Sequence, residues 1–275
     1  MMNRIVSRRW QRRALSLVLA TGMLASATGC APVTYSLDEE PSVSESRAKR
    51  DLGVDYLSTR RTGMAIRKLQ ESLALDPNDG QTHLWLGEAY RRKGQTDRAE
   101  AFLRDALRLS RRAKDGDTVQ QALLSLSALL SQMGEFEDAI PLCDELAEDP
   151  TFSTPWRPLT NCGFALSKLG RLEEARVRFT TALEFFPRYG PALLNMGILE
   201  AKDGHRAAAI KYLDKALDSG RLTASGHAEA NFRLGEIYVS LGRRDRAVGH
   251  FQQAAKVAPE ADWGSQSQAY LDLLR

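Results

Sequence analysis

The chain has 275 residues, 43% hydrophobic and 27% charged, with three cysteines and four histidines. These proportions build one or two ordinary folded units and exclude wholesale disorder, a disulfide-dense scaffold and a multi-histidine metal enzyme. The net charge of +3 is an N-terminal effect: residues 1–29 hold five arginines and no acid, the remainder has 33 basic against 35 acidic residues, and no nucleic-acid footprint is left.

Arg4, Arg8, Arg9, Arg12 and Arg13 precede a short apolar stretch, ALSLVLATGMLASAT (14–28), which is too short and too rich in small residues to span a membrane readily. Gly29 and Cys30 follow. Residues 1–29 resemble a bacterial lipoprotein signal peptide, with Ala27 where leucine is usual three residues before the cysteine. The resemblance implies cleavage before Cys30 and acylation of its thiol and new amino group. Ala31 in place of an aspartate implies a lipid-anchored protein of the outer membrane, facing the periplasm. An ordinary secretory signal with an incidental cysteine is the alternative reading. General secretion is expected, with twin-arginine export left open by Arg8-Arg9. Residues 30–45 read as the lipidated cysteine and a flexible polar tether with two prolines.

From residue 46 to 260 the chain repeats. Alanines recur at Ala65, Ala99, Ala139, Ala175, Ala209 and Ala247, spaced by 34, 40, 36, 34 and 38 residues. Twelve residues before each stands a small residue: Gly53, Gly87, Ser127, Gly163, Gly197 or Gly235. Five residues before the last five stands Gly94, Gly134, Gly170, Gly204 or Gly242, and the first unit has Arg60 there. Four residues after each alanine comes Leu69, Leu103, Cys143, Phe179, Leu213 or Phe251. Pro77, Pro187 and Pro259 close three of the units. This register is that of the 34-residue tetratricopeptide pattern. The expected fold is all-α: a superhelix of six helix-turn-helix units plus a C-terminal capping helix over 261–275. Small residues let the two helices of a unit cross closely, and the glycine supplies a positive φ at the turn between them. The bulky residue is expected to fill the interface with the next unit, and proline to stop the second helix. Extra residues near 112–117, 149–155 and 219–226 read as exposed connections, the first lengthening a loop or the helix before it.

Cys143 falls on the second helix of unit three and Cys162 on the first helix of unit four, which are neighbours in such a stack. A disulfide between them is the expectation in an oxidising compartment, and two buried free thiols are the alternative. His83, His205, His227 and His250 fall in different units. Phosphate-loop, dinucleotide and H-E-x-x-H signatures are missing, so no catalytic residue, metal site or cofactor is expected. The functional surface should be the concave face made by the first helices. The register places Val54, Leu57, Leu84, Glu88, Arg91, Leu124, Phe164, Leu194, Ile198, Phe232, Glu236 and Val239 there, an apolar groove with some charge for a partner peptide.

A lipoprotein signal, a short tether and six such units together resemble the type IV pilus biogenesis lipoproteins of the PilF/PilW/Tgl kind. The likeness is carried by AKRDLGVDYLSTRRTGMAIRKLQESLALDP (48–77) and by DPTFSTPWRPLTNCGFALSKLGRLEEA (149–175). Many members have an N-N-Y-G stretch and a cysteine in the first helix of unit three. This chain has LLSLSALLSQMG (123–134) there, which is nearest to the Tgl branch. The resemblance implies a non-enzymatic, pilotin-like assembly factor, monomeric when free, that binds the outer-membrane secretin. A general cell-envelope scaffold for another outer-membrane or export complex is the alternative.

Overall fold

The computed structural model describes residues 41–274; residues 1–40, which include the expected signal peptide, Cys30 and most of the expected tether, lie outside them. Thirteen helices make up the described residues, with no strand among them. The first six are α1 (Pro41–Ser58), α2 (Thr62–Leu75), α3 (Gly80–Arg92), α4 (Thr96–Ala113), α5 (Gly116–Met133) and α6 (Phe136–Glu148). Then come α7 (Trp156–Lys168), α8 (Leu172–Phe185), α9 (Gly190–Lys202), α10 (Arg206–Asp218), α11 (Ala224–Ser240), α12 (Arg244–Val257) and α13 (Asp262–Leu273). Each odd helix up to α11 packs antiparallel on the even helix after it, giving six pairs.

The expected glycine turns are present. Gly94, Gly134, Gly170, Gly204 and Gly242 have φ between 67° and 88°, and Arg60 takes the same left-handed conformation at φ 60° in unit one. The small position also has a steric cause. A Cβ at Gly163 would lie 2.5 Å from the Phe179 ring, and one at Gly235 would lie 2.6 Å from the Phe251 ring. The bulky residue has a role beyond the expected one. Leu69, Leu103, Phe179, Leu213 and Phe251 fill the crossing inside their own unit, against its glycine, and Phe251 also meets Tyr270 of the next helix, with Phe179 in one cluster with Met196 and Leu199 of the next unit.

One further expectation changes, and one that was left open is decided. Residues 41–45 belong to α1 rather than to a tether, because Pro41 suits a first helical position and the helix packs onto α2. Ser46 is buried there and donates to the Ser72 carbonyl at 3.0 Å. The insertion near 112–117 becomes helix: α4 and α5 run to 18 residues each, against 13 or 14 in α3 and α2. Lys114 ends α4 with φ 58°, and Asp115 caps α5 by accepting from the Thr118 amide at 3.1 Å. Residues 149–155 and 219–223 form the two irregular connections.

The core runs through the stack as a chain of apolar clusters. At its end α13 lies on α11 and α12. Trp263 and Tyr270 cover Phe232 and Phe251, with ring centroids 5.1 Å and 4.8 Å apart, so the last unit's apolar face is closed. Successive first helices touch at every step from α1 to α11. No pair of successive second helices brings Cα atoms within 8 Å. The first helices are therefore the inner layer, and they set the surface available to a partner.

Candidate functional site: a trough along the first helices

On a helix turning about 100° per residue, the small residue that meets its own second helix fixes where every other position points. Positions two before, one after and five after it cluster roughly opposite, on the free face. Positions three before and four after lie close to the packed face. The structure follows this rule at most positions, with Leu124, Arg91 and Val239 the exceptions that stay open to solvent. Leu57, Leu84, Leu194 and Phe232 are only 2%, 2%, 7% and 2% exposed, wedged between helices, so as groove contacts they are corrected to core. Of these, Leu57 and Leu84 still show an edge to surface depressions. Val54, Glu88, Leu124, Phe164, Ile198 and Glu236 are half-buried, and Arg91 and Val239 are exposed.

Three depressions follow the inner layer. The first, about 390 Å³, is bordered by Leu84, Glu88, Arg91 and Leu124 together with Trp85, Arg157, Asn161 and Tyr189. The second, about 600 Å³, holds Phe164 with Lys168, Pro191 and Asn195. It shares Ala128, Asn161 and Tyr189 with the first, so the two form one trough. The third, about 340 Å³, has Ile198 and Glu236 with Lys202, Arg206 and Arg233. Sequence reading missed the row two residues before the small position: Trp85, Ser125, Asn161, Asn195 and Arg233. The signal for it was the register itself.

The trough is more polar than the expected apolar groove. Its carboxylates are already engaged: Glu88 pairs with Arg91 at 2.7 Å and Glu236 with Arg233 at 2.9 Å. Arg157, Lys168, Lys202 and Arg206 have no ion-pair partner among the described residues. Lys168 Nζ sits 5.2 Å from the Phe164 ring centroid. Burial pushes the Glu229 carboxyl above its ordinary range, with Arg233 and Lys168 pulling it back. Burial likewise raises the Tyr189 hydroxyl, opposed by the charge and hydrogen bond of Arg157. The surface can therefore take an extended chain that brings carboxylates to the four cations and apolar side chains to Phe164, Leu124 and Ile198.

Beneath the trough, Cys143 on α6 and Cys162 on α7 are joined as a disulfide with Cα atoms 5.7 Å apart. Both are fully buried. Cys143 occupies the position that holds leucine or phenylalanine in other units, and Ser127 stands where those units have glycine. A smaller side chain in one helix leaves room for the larger small residue in the other.

The histidines are separate: His83 meets the Pro77 carbonyl at 3.1 Å, His205 meets Glu200 at 3.0 Å and His250 meets Asn231 at 3.0 Å. Among the described residues no cluster of His, Cys, Asp and Glu could hold a metal ion, and no helix is long and apolar enough to cross a membrane.

Family models described as tetratricopeptide repeat match residues 79–145 and 194–265. The fold is a tetratricopeptide-repeat solenoid. In sequence the chain is similar to type IV pilus assembly protein PilF of Pseudomonas aeruginosa, 24% identical over 254 residues, 90% of this chain and 94% of that one. Two solved structures share the tetratricopeptide fold. One is PilW, a type IV pilus biogenesis factor, with a TM-score of 0.68 at 19% identity, covering 80% of this chain and 97% of that one. The other is PilF of Pseudomonas aeruginosa, with a TM-score of 0.66 at 20% identity, covering 84% of this chain and 100% of that one.

Proposed function

We propose that this tetratricopeptide-repeat chain is an outer-membrane lipoprotein, anchored through Cys30 and facing the periplasm. It acts as a pilotin-like assembly factor for the secretin of type IV pili, nearest to the Tgl branch. It works by binding, without a cofactor or a reaction, as a monomer when free. The observation that carries this reading is the continuous trough of α5, α7 and α9, in a chain whose likeness to a pilus assembly protein extends over 90% of its length. The trough would hold an extended secretin segment until subunit association buries it, with Arg157 and Lys168 taking carboxylates and Phe164 an apolar side chain.

The test is a secretin immunoblot on unboiled outer membranes from a deletion strain and its parent. Loss of the high-mass band with monomer retained is the expected result. An unchanged band overturns the reading and leaves a general cell-envelope scaffold in its place.

A further inference from the structure

The first two turns of the solenoid carry cations that the trough does not use. Arg60 and Arg61 lie between α1 and α2. Arg92 and Lys93 end α3, and Arg98 opens α4; all five are exposed. None has an ion-pair partner among the described residues. Arg92 Nη1 donates to the Leu57 carbonyl at 2.6 Å, which draws the two turns together, and the Arg98 guanidinium lies 5.5 Å from the Tyr90 ring centroid. Between the turns is a recess of about 480 Å³ lined by Leu57, Ser58, Arg60, Thr62 and Arg92. The third turn reverses the sign with Glu135, Glu137 and Asp138, which separates this basic edge from the arginines of the sixth turn, Arg243, Arg244 and Arg246.

Arg60 adds an independent observation. It holds φ 60° where the other five turns place glycine. A side chain is strained in that conformation, and glycine would relieve it. The guanidinium is held at the mouth of the recess at that cost.

We infer that this two-turn cluster binds anionic phospholipid headgroups and holds the first two units against a membrane surface. The inference rests on the lipid-anchor part of the proposed function, since Cys30 would bring this end of the chain to the bilayer. Ten residues separate Cys30 from Pro41, a reach of at most about 34 Å. Helix α1 is about 27 Å long, so its far end can lie at the surface. The planar forks of Arg60 and Arg92 and the Thr62 hydroxyl suit a phosphate group. The recess has room for a headgroup phosphate. Arg61, Lys93 and Arg98 lie around it along the edge, an arrangement that suits a plane of headgroups rather than one free anion.

The test uses residues 30–275, the chain left after the proposed cleavage, with Cys30→Ser so that it cannot be acylated, and co-sedimentation with vesicles. Vesicles of phosphatidylglycerol and phosphatidylethanolamine should bind it, and phosphatidylcholine vesicles should not. Each cation removed should lower partition about fivefold, so Arg60→Gly with Lys93→Ala should lower it roughly 25-fold. Arg60→Gly restores the residue of the other turns, so an unchanged or raised melting temperature confirms that the variant is folded. Equal partition on phosphatidylcholine, or unchanged partition of the double variant, overturns the inference. So does calorimetric binding of inorganic phosphate without vesicle binding. Absent vesicle binding together with loss of secretin capture in the double variant would assign the cations to an acidic protein surface instead, and overturns it too. Normal secretin bands in cells alongside failed vesicle binding would refute this inference alone and leave the pilus reading standing.

Discussion

Breaking the Cys143–Cys162 link should weaken one step of the stack by a calculable amount. The cysteines are 19 residues apart in sequence. Closing a loop of that size removes about 3 kcal/mol of conformational freedom from the unfolded chain in the chain-entropy account. With a urea slope of about 3 kcal/mol/M for a chain of this size, the midpoint should fall by about 1 M on reduction. Reduction leaves both sulfurs in place, so it isolates the link from the packing. Cys143→Ala with Cys162→Ala should fall further, because both side chains are fully buried and their removal leaves a small cavity. The assay is urea unfolding followed by circular dichroism, with and without reductant, and hydrogen exchange at α6 and α7. Identical midpoints for oxidised protein, reduced protein and the double variant would refute the reasoning. So would a shift unaccompanied by faster exchange at α6 and α7.

Gly163→Ala should cost about 1–3 kcal/mol, because the new Cβ would lie 2.5 Å from the Phe179 ring; a thermal melt measures it, and an unchanged melt would show that the ring can move aside. Lys168→Glu with Lys202→Glu should leave the melt within the usual surface range and reduce secretin capture at least tenfold at low salt, read by pull-down with purified secretin. Burial lowers the affinity of His250 for a proton, so the unfolded chain binds more protons at this site than the folded one. Stability should accordingly be full above the ordinary histidine pKa of about 6.5 and fall as pH drops through the lowered folded value. Melting temperatures at pH 7.5 and 5.5 should differ less in His250→Gln than in the parent.

The repeat register was legible in the sequence because it is set by demands that few residues meet. A positive φ at residues such as Gly134 and a helix crossing at Gly163 each restrict the choice to one or two residue types. Those positions fixed the helix pairs and the order of the layers. The bulky residue was read in part: its place toward the next unit was legible, but the crossing geometry that also sets Phe179 against Gly163 was not. The tether was drawn too long because Pro41 and two serines read as loop, whereas Ser46 finds a buried acceptor in α2. The trough was half legible. Glu88, Phe164 and Ile198 fall on the free face, but the register was taken to place Leu84, Leu194 and Phe232 there too, and apolar residues next to the packed face are drawn into the core. Asn161 and Asn195 went unnoticed because polar residues on a helix also fit an ordinary solvated surface.

The inner and outer layers of the stack have different mechanical characters. First helices meet by close packing at every step, while second helices are bridged by long side chains, such as Arg111 with Glu145 at 2.5 Å and Arg178 with Asp144 at 2.8 Å. Packing resists shear at any ionic strength, whereas exposed ion pairs are weak and screened by salt. The solenoid is therefore a strip with a stiff spine and a compliant, salt-softened back. Bending it widens or narrows the trough with little loss of buried area. The step between α6 and α7 is the exception, since a covalent bond spans it. Flexing should be distributed to either side of that fixed joint, so the two ends of the trough can change width independently.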